Sequence, residues 1–388
     1  MFSSRLQWDL RPNRLSQALQ EMRQHGVPLL DLTESNPTRA GLAYPESGIL
    51  AAFADPRSLR YDPAPNGLAE ARTAVSGWYA ARGQHVAPER ILLTASTSEA
   101  YAYLFKLLAD PGDAVLVPRP SYPLFDYLAA LESVKVVQYP LAYDHGWSID
   151  FEALEEACSP RTRAIVVVNP NNPTGSFLKT GELDRLVAVC AERNMALISD
   201  EVFAGFAFGP DDGRVASLTG VNETPAFCMS GLSKIAALPQ MKLGWIVAGG
   251  PSDLRAAALE RLELIADTFL SVSTPVQYAA PHLLRLGAEM EQQIRNRTAS
   301  NLAELRAAVG GTPCAVLDVE GGWYATLRVP RTRTEEEWCL ELLERYGVLV
   351  QPGFFYDFEA EAFLVLSLLT EPAIFQEGVA RLLACASA

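Results

Sequence analysis

The feature that most restricts this chain is an alternation, over residues 91 to 250, of short apolar runs with segments of helical period. Residues 91–94, 114–117, 134–137, 165–168, 196–199, 226–230 and 245–248 read as strands; 165–168 is an uninterrupted β-branched run of the kind buried on both faces. Between them Tyr101, Leu104, Phe105 and Leu108 recur at i, i+3, i+4, i+7, and Asp110-Pro111-Gly112-Asp113 stops that helix. Leu183, Leu186, Val187 and Cys190 mark another. Strands alternating with helices predict a wound α/β sheet.

Downstream, 252–308 reads as helical throughout and is expected to carry the domain seam. Strands at 323–329, 348–350 and 363–369 then mix with a helix bearing Cys339, Leu342, Leu343 and Tyr346 and ended by Gly347. The expected organisation is a large domain over 46–284, with 1–45 and 285–388 forming an N-terminal arm and a small α+β domain. The first forty residues, rich in Pro and Asn, are expected to run over the surface or across a partner.

Composition narrows the function. With 388 residues, 49% of them hydrophobic and 20% charged, the chain has the makings of an ordinary packed protein. A net charge of −14 repels polyanions, and the basic stretch 328–333 runs into Glu335, Glu336 and Glu337, so nucleic acid is excluded as a partner. Six scattered cysteines without a C-x-x-C pair point away from zinc and toward a reduced, cytoplasmic setting. No signal peptide or membrane span is read, because no apolar run approaches ~18 residues. Only five of the 32 basic residues are lysines: Lys106, Lys135, Lys179, Lys234 and Lys242. Lysine chemistry therefore has few places to sit.

Lys234 leaves a strand in Ser230-Gly231-Leu232-Ser233-Lys234, with a second cation, Lys242, eight residues on. An amine that condenses with a carbonyl needs its pKa lowered by desolvation or a neighbouring cation, and this segment offers both; by itself it also reads as an exposed loop lysine. Upstream, Asn169-Pro170-Asn171-Asn172-Pro173-Thr174-Gly175 follows a buried strand, and Asp200 ends the next. In wound sheets, ligands bind at the carboxyl ends of the strands, where Asn172 and Asp200 would meet a bound ring. Ser96, Thr97 and Ser98 open a helix, with Ser96 and Glu99 spaced as a capping box, and a helix N-terminus attracts anions. Tyr122 offers an aromatic face after another strand.

Asn-Pro-Asn-Asn-Pro-Thr-Gly, then Asp200-Glu201-Val202-Phe203, then Ser233-Lys234 with Lys242 and Gly244-Trp245, resembles the class I/II aminotransferase family. Tyr61-Asp-Pro-Ala-Pro-Asn-Gly67, the segment from Asp110, Gly321-Gly322-Trp323 and the segment Gly347 to Gly353 are similar to family segments in the same order. The resemblance implies the fold type I architecture of pyridoxal 5′-phosphate enzymes. That is an α/β large domain with a mostly parallel seven-stranded sheet plus a small α+β domain, assembled as a homodimer.

Carried over by position, Lys234, Asp200 and Tyr122 form the catalytic set. Lys234 makes the Schiff base, Asp200 pairs the pyridine nitrogen, and Tyr122 stacks on the ring. Asn172 bonds the phenolic oxygen. Ser96, Thr97, Ser98, Ser233 and Lys242 hold the phosphate, and Tyr61 reaches the phosphate of the partner subunit. Asn172, Ser35, Asn36 and Arg39 are the implied substrate contacts. Four positions depart from the family pattern, the first being Lys242 where an arginine is usual. Phe203 replaces a tyrosine, Gly231 fills a slot often held by Ser or Thr, and Val365 stands where an arginine grips the substrate carboxylate. The implied reaction moves an amino group between an amino acid, or a related amine, and a 2-oxo acid. A C–S β-lyase or decarboxylase of the same fold, and a catalytically silent cofactor-binding protein, remain open on these residues.

Overall fold

The computed structural model describes residues 2–209 and 213–387. The N-terminal segment differs from the expected aperiodic arm. Asn13 caps α1 (Arg14–Gln24), whose Leu15, Ala18, Leu19 and Met22 pack onto the core of the C-terminal unit. That is an i, i+3, i+4, i+7 stripe, diluted among polar residues. β1 (Leu30–Asp31) follows, then α2 (Glu46–Ala52) and α3 (Ala69–Ala80).

The wound sheet comes next: β2 (Ile91–Thr94), α4 (Thr97–Leu108), β3 (Ala114–Arg119), α5 (Phe125–Leu131), β4 (Lys135–Tyr143), β5 (Trp147–Ile149), α6 (Phe151–Ala157), β6 (Thr162–Val168), α7 (Thr180–Arg193), β7 (Ala196–Asp200), β8 (Ala226–Gly231), α8 (Leu232–Ile235) and β9 (Gly244–Gly249). The strand order is β2-β9-β8-β7-β6-β3-β4-β5. The sheet thus has eight strands instead of the expected seven, because β4 extends to Tyr143 and turns back as the three-residue β5. Pairings β3–β4, β3–β6, β6–β7 and β7–β8 are parallel, while β9 runs against both β2 and β8. Consequently β3, β6, β7 and β8 end at one edge, with Val168 beside Asp200 and Asp200 beside Met229 in register. Apolar side chains bury both faces of this sheet in two separate clusters.

The stretch expected to be one long helix is two, α9 (Ser252–Phe269) and the 35-residue α10 (Thr274–Ala308). Leu270, in the left-handed region at φ 47°, ends the first, and Pro275 sits in the opening turn of the second, where its missing N–H costs no hydrogen bond. Val276, Ala279, Ala280, Leu283 and Leu284 of α10 belong to the large-sheet core, whereas Leu302 and Leu305 belong to the second core. One helix therefore spans both.

The remainder is β10 (Ala315–Val316), β11 (Tyr324–Arg328), α11 (Glu335–Tyr346), β12 (Val348–Leu349), β13 (Gln351–Pro352), β14 (Phe363–Ser367) and α12 (Pro372–Ala386). Strands β10, β11, β14 and β13 form an antiparallel sheet in that order, and β1 pairs in parallel with β12. The single strand expected over 348–350 is divided between β12 and β13, which lie in different sheets. Among the described residues, no helix is long and apolar enough to cross a membrane.

Candidate active site

At the carboxyl edge of the parallel strands lies a cleft of about 640 Å³ lined by Ser35, Thr97, Tyr122, Phe125, Val168, Asn172, Asp200, Val202, Phe203, Ser233, Lys234 and Tyr324. Each side chain arrives by a local rule. Asp200 is the last residue of β7; its neighbour Glu201 turns the other way and is buried among the Ser199 and Ser217 hydroxyls and the Leu218 amide, at 2.6–2.9 Å. Strand alternation thus gives Asp200 to the cleft and Glu201 to the interior.

Asp200 receives the Tyr101 hydroxyl on Oδ2 and the Val202 amide on Oδ1, both at 3.2 Å. Desolvation nevertheless pushes its carboxyl up to about 6, against the opposing pull of those bonds and of Lys234.

Lys234 sits in α8, the single turn that follows β8. Its Nζ lies 4.7 Å from the Trp323 ring centroid and 5.4 Å from that of Phe203. Removal from water lowers its amine to about 8, with Asp200 pulling the other way. At pH 7 such an amine is about 10% neutral, against about 0.03% for one at 10.5, so several hundred times more of it is available as a nucleophile or base.

The asparagines of the 169–175 turn divide their work. Asn169 donates to the Val215 carbonyl at 2.7 Å and accepts from the Leu178 amide at 3.0 Å. Asn171 donates to the Pro120 carbonyl and the Thr174 hydroxyl. Asn172, buried and in the cleft, keeps an Oδ1 without a partner. Gly175 closes the turn at φ 71°, with the Gly321 carbonyl only 2.5 Å from where a Cβ would stand.

At the β2–α4 junction only half of the expected capping box forms: Ser96 Oγ accepts from the Glu99 amide at 3.2 Å, while the Glu99 carboxylate accepts from the Ala95 amide at 2.7 Å, one residue before the cap. Thr97, first in α4, is the residue of that turn that reaches the cleft lining. Ser96 and Ser98 do not line it, and neither does Lys242, which is exposed in the left-handed region at φ 52°. Tyr61 is 79% exposed and lines a different surface cleft with Leu270 and Gln277. In the 33–39 segment Ser35 lines the cleft, Asn36 caps the short helix Pro37–Arg39, and Arg39 is exposed outside the lining. Tyr122 keeps 42% of its surface open, and its phenol is pushed up to about 12 by desolvation.

Four lining residues lay outside the sequence-derived set: Phe125, Val168, Val202 and Tyr324. Tyr324 follows the Gly321-Gly322-Trp323 motif by one residue, which was the available signal. Tyr101 was read as a core position of its helix, a pattern that conceals the hydroxyl at its tip.

Residues 27–381 match the family model described as aminotransferase class I and II. The chain belongs to this family. It is 29% identical over 274 residues to the glutamate-pyruvate aminotransferase AlaA of Escherichia coli K12, covering 70% of this chain and 67% of that one. To the arginine–pyruvate transaminase AruH of Pseudomonas aeruginosa it is 28% identical over 310 residues, 79% of this chain and 77% of the relative. The solved alanine aminotransferase from Pyrococcus furiosus superposes with a TM-score of 0.89 at 23% identity, covering 100% and 99% of the two chains. The protein is a pyridoxal-phosphate-dependent transaminase of fold type I. The cleft suits that cofactor: the unpartnered Asn172 Oδ1, the desolvated Asp200 and the low-pKa Lys234 are complementary to a protonated phenolic pyridine carrying an aldehyde.

Proposed function

We propose that Lys234 holds the cofactor and serves as the proton-moving base of this transaminase, with Asp200 and Asn172 fixing the ring. The observation that carries this is the pairing, in one cleft, of an amine lowered to about 8 with a carboxyl raised to about 6. Pyridoxal phosphate, when bound, supplies an aldehyde carbon for condensation with amines and a ring that accepts the electron pair released at the substrate α-carbon.

The chain's residues do the rest. Lys234 Nζ, once released from the cofactor, takes the α-proton and returns it; its lowered pKa keeps a useful neutral fraction near pH 7. Asp200 is the counter-charge of the ring nitrogen, and an ionised partner there lowers its carboxyl from the raised value. Tyr101 holds that carboxylate in place. Tyr122 covers the ring and helps to exclude water. Thr97 and Ser233, which line the cleft, hold the phosphate at the N-terminus of α4, while Ser96, Ser98 and Lys242 act from outside the lining, the lysine as a point charge.

Tyr61 reaches the phosphate of the partner subunit in a homodimer; its exposure beside Leu270, which is also exposed, supports this reading. The six free cysteines are in keeping with a cytoplasmic setting. The test is the half-reaction in Lys234→Ala. The variant is expected to retain cofactor by its absorbance band while losing amino transfer by ~10³-fold or more. Undiminished turnover would remove Lys234 from the mechanism.

A further inference from the structure

Beside the cleft, the face of the small sheet that carries Tyr324 holds no charge. Tyr324 lines the cleft and pairs across the sheet with Ser367; two residues along, Thr326 pairs with Val365, which in turn pairs with Gln351. Directly opposed residues share a sheet face, and so do residues two apart on one strand, so these five present one surface. Its composition is two hydroxyls, a phenol, an amide and the fully buried Val365. Ser367 Oγ is spent on the Glu34 carbonyl at 2.6 Å, and Gln351 accepts from Tyr356. Thr326 Oγ1 is buried with no partner.

Among the described residues lining the cleft the only cation is Lys234, which is committed to the cofactor. The neighbouring cations are occupied or outside. Arg297 donates to the carbonyls of Ala40 and Leu369 at 2.9 and 3.3 Å, Arg119 is ion-paired with Glu359, and Arg39 and Lys242 are exposed beyond the lining. A carboxylate on the amine-bearing carbon would lose its water between neutral groups and Asp200 without gaining an opposite charge, which is unfavourable. A hydroxyl would lose far less and would find uncharged partners.

We propose that the specific substrate of this transaminase is a primary amine whose amine-bearing carbon carries a neutral hydrogen-bonding group, an amino alcohol or its carbonyl counterpart, in place of a carboxylate. In that reaction the C–N bond of the amino alcohol breaks and its carbon is oxidised to a carbonyl. The amino group and two electrons pass to the carbonyl carbon of a 2-oxo acid, which becomes the amino acid. The 2-oxo acid meets the same lining, where Lys234 is the cation and is held by the cofactor, and is bound loosely, with a high KM. The proposal rests on the assignment of the cleft as the transamination site.

The experiment titrates the purified holoenzyme with a pair that cannot lose an α-proton, 2-amino-2-methylpropan-1-ol and 2-methylalanine, following the cofactor absorbance for Kd. Turnover of L-alaninol and L-alanine with pyridoxal-phosphate enzyme and a 2-oxo acid is measured in parallel. The expected result is tighter binding and higher kcat/KM for the alcohols by about 10- to 100-fold, the weight of desolvating a carboxylate that gains no opposite charge where a hydroxyl keeps a neutral hydrogen bond. Val365→Arg should reverse the preference; should that variant fail to fold, the wild-type pair decides alone. Equal or tighter binding of 2-methylalanine, with amino transfer from L-alanine intact, overturns the proposal and leaves the transaminase site standing. Failure of every amine to perturb the cofactor overturns the site assignment and the proposal with it.

Discussion

Replacing Lys234 by Met should stabilise the cofactor-free protein at neutral pH. The folded chain holds this amine at about 8 instead of 10.5 because burial disfavours the ammonium. A lowered lysine pKa means that the native state binds fewer protons than the unfolded state between about pH 8 and 10.5, so stability rises across that window and is depressed below it. The depression at pH 7 amounts to roughly 3 kcal/mol, and by pH 10.5 it falls below about 0.5 kcal/mol. Methionine removes it at every pH. Part is given back, because Asp200 loses the ammonium that restrains its own raised pKa, which leaves a net gain of the order of 1–3 kcal/mol at pH 7. Urea unfolding of the stripped wild type and Lys234→Met at pH 7 and pH 10.5 measures the difference directly. The expected record is a more stable variant at pH 7 and near-equality at pH 10.5. A variant less stable at pH 7, or a pH-independent gap, would refute the view that Lys234 is a desolvated amine primed for chemistry.

Two further substitutions probe the surrounding frame. A Cβ at Gly231 would lie 2.9 Å from both the Gly244 Cα and the Leu243 carbonyl oxygen, backbone that cannot swing aside. Gly231→Ala should therefore cost about 1–3 kcal/mol in chemical denaturation and weaken cofactor retention, since β8 leads straight into Lys234; an unchanged midpoint contradicts the close approach. Phe203 packs on Trp323 and Tyr324 and brings no hydroxyl to the cleft. Phe203→Tyr should lower the pH midpoint of the holoenzyme's visible absorbance transition by about one unit, through a donor that favours the deprotonated form, and an upward shift would reject that role.

Much of the site was legible because its chemistry lies in strand-end motifs. A residue closing a parallel strand faces the cleft by topology alone, so Asp200, Asn172 and Lys234 could be located without coordinates. Ser96, Ser98, Lys242, Tyr61 and Arg39 belong to the same motifs, yet they stand outside the cleft lining. Proximity in sequence to a site does not fix where a flexible or capping side chain points. Tyr101 escaped notice for the opposite reason: its ring is core, and only the hydroxyl reaches Asp200. The stripe on α1 was missed because four apolar residues among charged and polar neighbours bury one narrow face, and only contact with the second core makes that face meaningful.

The sequence alone determined the alternation of strand and helix, the carboxyl edge as the place for ligands, the family, and the shortage of lysines that left Lys234 for chemistry. These are local or pairwise properties: period, turn residues and spacing. The tertiary structure decided what is collective. The pKa of Lys234 depends on Trp323, Phe203 and Asp200, which arrive from distant segments and together exclude water. The absence of charge beside Tyr324 depends on Thr326, Gln351, Val365 and Ser367 sharing its face of the small sheet. Burial and charge balance are sums over neighbours brought together only when the chain packs, and so they become readable only there.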